Sequence, residues 1–238
     1  MNIGLVIPIF NLCKDRLRNL AFNLNHLSTT DLVRDVIVLE QYSEHSNSLE
    51  VVDRFPNVNH IVFDLGKKTF NKSKLLNRYA ETTKYDFIWM LDVDVYIDIN
   101  YVLSQLPSNV KLVRPFELIQ SLNKKETDHL FKTNLISITE SKRETNNAFG
   151  KYSFIIETNL LNVIGGYDED YEGWGFQDLD LIKRIPPKTY RGYTKNIAFH
   201  LFHSKASREK YNKNKSIFHK KGNFKKLVPR KKKILDKS

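Results

Sequence analysis

The sequence predicts an α/β fold with a mostly parallel central sheet flanked by helices, and three observations predict it. Apolar runs alternate along the chain with segments whose apolar residues recur at helical spacing. The runs are continuously apolar, as in strands covered on both faces, rather than alternating between apolar and polar. One of them, Tyr85 to Ile97, carries Asp92-Val93-Asp94 toward its end, and in such sheets ligands sit beyond the carboxyl ends of the strands.

The elements follow in order. Residues 3–9 form a first strand, closed by Pro8. Residues 14–28 place Leu17, Leu20, Ala21, Leu24 and Leu27 on one helical face. Asp35 to Glu40 and His60 to Asp64 read as the second and third strands, and Asn71 to Thr83 as a helix with Leu75, Leu76 and Tyr79 inward. The strand from Tyr85 to Ile97 comes next. Lys111–Phe116 reads as a further strand, and the polar, charge-rich stretch that follows it to residue 140 as a mobile loop. Tyr152–Ile156 is a strand and Glu157–Val163 a short helix ended by Gly165-Gly166. Leu179, Ile182 and Ile185 define a helix that begins near Phe176.

Composition bounds the function. A hydrophobic content of 41% suits a folded globular protein, and 238 residues suffice for one sizeable domain. The single cysteine, Cys13, excludes an intramolecular disulfide and a cage of paired cysteines, and favours a reducing compartment. No apolar run reaches membrane-spanning length, and the apolar start lacks a basic leader and a cleavage site. The expectation is a cytoplasmic protein, peripheral on a membrane at most. The net charge of +11 is concentrated at one end: residues 205–238 carry +12 and residues 1–204 sum to −1. The chain therefore divides into a near-neutral domain, 1–204, and a basic tail, 205–238, partly helical or poorly ordered. Such a tail is either solvated or binds polyanions or an anionic membrane surface. With the basicity confined there, nucleic acid is not the expected partner.

Three clusters carry chemistry. Asp92 and Asp94 stand at the end of a buried run, where an unpaired charge is costly. The alternatives are a solvated strand end or a hard divalent cation that keeps positions open for phosphate oxygens. The second cluster, Gly173-Trp174-Gly175-Phe176-Gln177-Asp178-Leu179-Asp180, lets backbone approach a ligand and offers an aromatic face to a sugar ring. Asp178 falls in the first turn of a helix, where it either favours the helix start or serves as general base for a sugar hydroxyl. The third is Phe199-His200-Leu201-Phe202-His203-Ser204. Each histidine alone reads as a hydrogen-bonded core or surface residue, yet His203 is an attractive third ligand beside the two aspartates. Imidazole with carboxylate suits manganese better than calcium.

These clusters, in their order, resemble the β-1,4-galactosyltransferases and their relatives of the glycosyltransferase A-type, Rossmann-like fold, which include family 2 and the polypeptide N-acetylgalactosaminyltransferases. Val36 to Gln41 is similar to the family's second-strand segment. Phe70-Asn71-Lys72-Ser73-Lys74-Leu75-Leu76-Asn77 is similar to its Phe-Asn-Arg-Ala-Lys-Leu-Leu-Asn, and Asp92-Val93-Asp94 to its metal-binding triplet. Trp174 to Asp180 is similar to its Trp-Gly-Gly-Glu-Asp-Asp-Asp block, and His203-Ser204 to its His-Ser.

The resemblance implies Mn2+ (or Mg2+) held by Asp94 and His203, with Asp92 on the ribose or in the metal shell and His200 where the family often has a methionine ligand. It implies Pro8, Phe10, Asn11, Glu40, Lys72, Asp92 and Val93 around the nucleotide. Trp174, Gly175, Gln177 and Asp180 would lie by the sugars, and Asp178 would be the catalytic base. The implied reaction is inverting transfer of a hexose from a UDP-sugar to a glycan or glycoconjugate hydroxyl. Retaining relatives carry asparagine where Asp178 stands. Phe176 for glycine and Gln177 for glutamate depart from the pattern at the sugar-binding edge, so neither sugar is specified. The rivals are a retaining transferase of the same fold, a nucleotidyltransferase, and a polyanion-binding module acting through the tail. A nucleotidyltransferase would usually need a glycine-rich basic loop after the first strand, and Asn11-Leu12-Cys13-Lys14 is not one.

Overall fold

The computed structural model describes residues 1–30, 35–136, 143–144, 153–186, 188–189, 191–204 and 207–221. In chain order these form β1 (Ile3–Ile9), α1 (Lys14–Leu27), β2 (Val36–Gln41), α2 (Leu49–Val52), β3 (Asn59–Phe63) and α3 (Lys72–Thr82). Next come β4 (Phe87–Leu91), β5 (Val95–Tyr96), α4 (Ile99–Ser104), β6 (Leu112–Arg114), β7 (Leu118–Ser121) and α5 (Lys124–Thr133). The remainder is β8 (Arg143–Glu144), β9 (Ser153–Glu157), α6 (Thr158–Val163), α7 (Gln177–Arg184), β10 (Arg191–Tyr193), β11 (Ile197–His200) and α8 (Tyr211–Lys220).

Seven strands make the main sheet in the order β10-β6-β9-β4-β1-β2-β3. It is mostly parallel; only β9 runs against its neighbours β4 and β6. Both faces are covered, which explains the unbroken apolar runs. Every residue of β1 is buried, and successive side chains enter opposite layers. Leu5, Ile7 and Ile9 pack with Leu20, Leu24 and Leu27 of α1, whereas Val6 packs with Leu75, Leu76 and Tyr79 of α3. Trp89 is fully buried and donates its indole N–H to Ser153 Oγ at 2.8 Å, tying β4 to β9.

Two expectations are corrected. The strand predicted from Tyr85 to Ile97 stops at Leu91. Asp92 to Asp94 form a turn closed by Val95 N–H to Asp92 C=O, and β5 then joins a different sheet, ordered β5-β11-β7-β8. The two carboxylates thus leave the covered ladder just where burial on both faces would be most costly. The stretch after Phe116, expected to be a loop to residue 140, contains β7 and α5. Helix α5 starts with a capping box, Asn123 Oδ1 accepting from Glu126 N–H while the Glu126 carboxylate accepts from Asn123 N–H. That Asn-x-x-Glu signal was present in the sequence. Of the expected loop, residues 137–140 lie outside the described residues, as does Tyr152 of the expected strand.

Candidate active site

The parallel strands β1, β2 and β4 end at one edge of the main sheet, and the second sheet meets them there. Strand β11 pairs antiparallel with β5 in the register Phe199↔Tyr96 and His200↔Val95, and Leu201 N–H donates to Asp94 C=O at 2.8 Å. This pairing sets Asp94 against both histidines. Asp94 is 5% exposed; its Oδ2 lies 3.2 Å from His203 Nε2 and its Oδ1 3.7 Å from His200 Nε2. One ligand atom from each of Asp94, His200 and His203 falls within 4.8 Å of the others. One carboxylate and two imidazoles at that spacing fit a manganese-like divalent cation. Burial lowers the His200 pKa, against the pull of the neighbouring Asp94, and so favours the neutral imidazole that a metal requires.

Helix α1 frames this cluster with a polar stripe that the sequence reading did not detect. Asp15 Oδ2 accepts from Ser204 N–H at 2.8 Å, and Asn19 donates to Phe202 C=O at 3.3 Å. Asn23 donates to Val93 C=O and Val95 C=O at 3.0 and 3.1 Å, on either side of Asp94. Arg16 Nε donates to Asp94 Oδ2 at 3.1 Å. Spaced along one helical face, these polar residues signalled a helix buried against polar backbone.

Helix α7 presents Asp178 from its first turn. The turn is entered through Phe176 at φ 71°, in the left-handed region costly for a non-glycine residue. Lys72, nearly buried in the first turn of α3, bridges Asp92 Oδ1 at 2.9 Å and Asp178 Oδ2 at 3.3 Å. Tyr167 O–H donates to Asp178 Oδ1 at 3.1 Å. Burial raises the Asp178 pKa, Lys72 opposes that rise, and Asp92 adds to it, leaving a net elevation. Burial likewise depresses the Lys72 ammonium, but Asp178 and Asp92 together outweigh it and hold the lysine firmly protonated.

The family model described as glycosyltransferase like family 2 matches residues 5–196. The chain belongs to that family. It is a glycosyltransferase with the A-type fold. Comparison with curated protein sequences finds no match. Among solved structures, the chain is similar to the catalytic domain of Drosophila β1,4-galactosyltransferase 7 in complex with xylobiose. The two share 16% identity over 91% of this chain and 79% of that one, at a TM-score of 0.57. Mannosyltransferase PcManGT from Pyrobaculum calidifontis, in complex with GDP-Man and Mn2+, shares 15% identity over 86% of this chain and 58% of its own (TM-score 0.55). Glucosyl-3-phosphoglycerate synthase from Mycobacterium tuberculosis, with Mn2+, UDP and glucosyl-3-phosphoglycerate, shares 12% over 92% and 77% (TM-score 0.54).

Within this glycosyltransferase the remaining expected residues fall into two groups. At the end of β1, Pro8 is buried, Phe10 stacks on Phe70 with centroids 5.8 Å apart, and Asn11 is exposed at φ 41°. Val93 is buried inside the aspartate turn. Other expected residues have side chains engaged by protein partners. Asp92 faces Lys72 rather than the Asp94–His200–His203 cluster. Glu40, expected at the nucleotide, is 2% exposed, and its carboxylate accepts from Ser46 and Ser48 and pairs with His60 Nε2 at 2.8 Å. Asp180, expected by the sugars, is 1% exposed and held by Arg184 Nε at 2.8 Å and Tyr171 O–H at 3.2 Å. Both carboxylates are taken up by protein donors, because α7 and β2 turn these side chains inward. Gln177 is buried with Oε1 lacking a hydrogen-bond partner among the described residues.

Helix α8, from the basic segment, closes over the Gly-Trp-Gly loop. Trp174 stacks on Tyr211 at 5.3 Å between centroids, and Phe176 packs between Tyr211 and Phe218. Asn214, fully buried, donates to the carbonyls of Glu172, Trp174 and Gly175 at 2.8, 3.2 and 3.2 Å. Gly175 adopts φ +106°, and a Cβ there would lie 3.1 Å from the Tyr211 ring. The phenylalanine that departs from the family pattern is therefore an anchor for α8. Trp174 already has an aromatic partner and stays 47% exposed. Among the described residues no helix is long and apolar enough to cross a membrane.

Proposed function

We propose that this glycosyltransferase moves a hexose from a UDP-sugar to a glycan hydroxyl with inversion at the anomeric carbon, using a divalent cation and Asp178 as base. One observation carries the reading: a buried carboxylate of raised pKa, Asp178, is joined through Lys72 to Asp92, two residues from the Asp94–His200–His203 cluster. A base and a cation site on one edge of the sheet are what displacement of a nucleoside diphosphate needs.

Asp94, His200 and His203 would hold Mn2+ or Mg2+, which supplies charge neutralisation for the departing diphosphate. Complexes of similar structures with UDP and Mn2+ or GDP-Man and Mn2+ support the use of a divalent cation. Asp178 accepts the acceptor O–H proton as that oxygen attacks the anomeric carbon. The bond from that carbon to the diphosphate oxygen breaks on the opposite face, and its electron pair leaves with UDP. Elevation of its pKa makes Asp178 a better proton acceptor than an ordinary aspartate, while Lys72 keeps it ionised. Tyr167 orients the carboxylate. Gln177, with its unpaired buried oxygen, and the exposed part of Trp174 are the sugar-facing groups.

Incubation with a panel of UDP-sugars, Mn2+ and glycan acceptors, read as UDP release and product anomeric configuration, tests the reading. Asp178→Asn is expected to keep cation-dependent UDP binding and to lose about 10²–10⁴-fold in turnover. Unchanged turnover would remove Asp178 as base. Equal UDP affinity with and without chelator would remove the cation.

A further inference from the structure

Arg16 belongs neither to the Asp94–His200–His203 cluster nor to the Asp178 bridge, and its place is unusual. It lies in the first turn of α1 with a quarter of its side chain exposed, Nε 3.1 Å from Asp94 Oδ2 and Nη2 3.5 Å from His203 Nε2. The guanidinium thus touches two of the three residues assigned to the cation. It is not needed as a fastener, since Asp15, Asn19 and Asn23 already tie α1 to Ser204, Phe202 and the aspartate turn. What it adds is a permanent positive charge on the one carboxylate of the cluster. That carboxylate is 5% exposed, so little solvent screens the competition between two cations for it.

A guanidinium is also a preferred partner for phosphate oxygens, which it binds through paired N–H groups. Its long side chain is a quarter exposed, which leaves room for it to turn from Asp94 toward a diphosphate bound beside that residue. We propose that Arg16 is a donor-binding residue that couples cation and nucleotide: it competes with the divalent cation for Asp94, and on arrival of a nucleoside diphosphate it releases Asp94 and binds the phosphate oxygens. The proposal rests on the reading of Asp94, His200 and His203 as the cation site. By linkage, each ligand then strengthens the other by the same factor.

The test is Mn2+ binding to the full chain, by electron paramagnetic resonance and calorimetry, alone and with saturating UDP. The proteins are wild type, Arg16→Gln and Arg16→Lys, with Arg16→Met as a second uncharged variant should glutamine reduce the folded fraction. Arg16→Gln is expected to bind Mn2+ alone about tenfold more tightly. It is also expected to bind UDP about tenfold more weakly at saturating Mn2+, with the mutual enhancement reduced accordingly. Arg16→Lys, which keeps a charge beside Asp94, stays near wild type for Mn2+ alone. If both ligands bind and Arg16→Gln changes neither Mn2+ affinity nor the enhancement by UDP, Arg16 is a structural ion pair and the proposal falls. If wild type binds UDP but no Mn2+ under either condition, the cation reading falls, and the Arg16 proposal falls with it.

Discussion

Replacing Lys72 with methionine removes a cation that spans Asp92 and Asp178 while keeping the volume of the buried stem. In wild type its Nζ lies 2.9 Å from Asp92 and 3.3 Å from Asp178, with side-chain exposures of 9%, 31% and 17% for the lysine and the two aspartates. At 3.3 Å and an effective dielectric near 20, the attraction to Asp178 is about 5 kcal/mol before desolvation is counted. Cutting such a bridge and leaving its partners charged costs about 3–5 kcal/mol of stability. The kinetic consequence has a definite sign. Lys72 opposes the rise in the Asp178 pKa that burial and Asp92 cause, so its removal raises that pKa further. A base works ionised, so activity is lost as pH falls through its pKa, and the acid limb of the profile must move to higher pH. The assay is kcat/KM against pH, which reports the free enzyme, alongside urea unfolding at neutral pH. An acid limb that stays put or moves to lower pH, with stability changed by under about 1 kcal/mol, would refute both the bridge and the base.

Asn23→Leu leaves the carbonyls of Val93 and Val95 without their donor; it is expected to cost about 1–3 kcal/mol and to weaken Mn2+ binding about tenfold, read by unfolding and calorimetry. Gly175→Ala puts a Cβ 3.1 Å from Tyr211 at φ +106°, so α8 should loosen and acrylamide should quench Trp174 more strongly in a Trp89→Phe background. Deleting residues 222–238 is expected to leave UDP binding unchanged and to reduce sedimentation with phosphatidylserine vesicles. Deleting 205–238 should also expose Trp174, because it removes Tyr211 and Asn214, and similar quenching in both truncations would contradict that role for α8.

Much of the fold was legible in the sequence because its signals are local. Continuous apolar runs announced β1, β2 and β4, and helical spacing announced α1 and α3. The break at Leu91 was not legible, because Val95 and Tyr96 are as strand-like as Trp89 and Met90. Only the partner differs, β11 in place of β1. The charges of α5 mask its helical period, although its capping box is readable. In the site, the aspartate pair, the two histidines and Asp178 all stood out by residue type. Glu40 and Asp180 stood out equally, yet they face inward to Ser46, Ser48 and His60 and to Arg184 and Tyr171. No local pattern separates a carboxylate turned inward onto protein donors from one that stands beside the Asp94–His200–His203 cluster.

By itself the sequence determined the alternation of strands and helices, the family resemblance and the set of acids and imidazoles from which a site could be drawn. Tertiary structure alone decided which of them meet. The β5–β11 pairing brings His200 and His203 to Asp94 across about a hundred residues of chain, Lys72 reaches between two elements to Asp92 and Asp178, and α8 turns back over Trp174. Periodicity and capping are written in neighbouring residues, whereas a site is made of groups brought together by burial of surfaces far apart in the chain. The energy that assembles it belongs to the whole core.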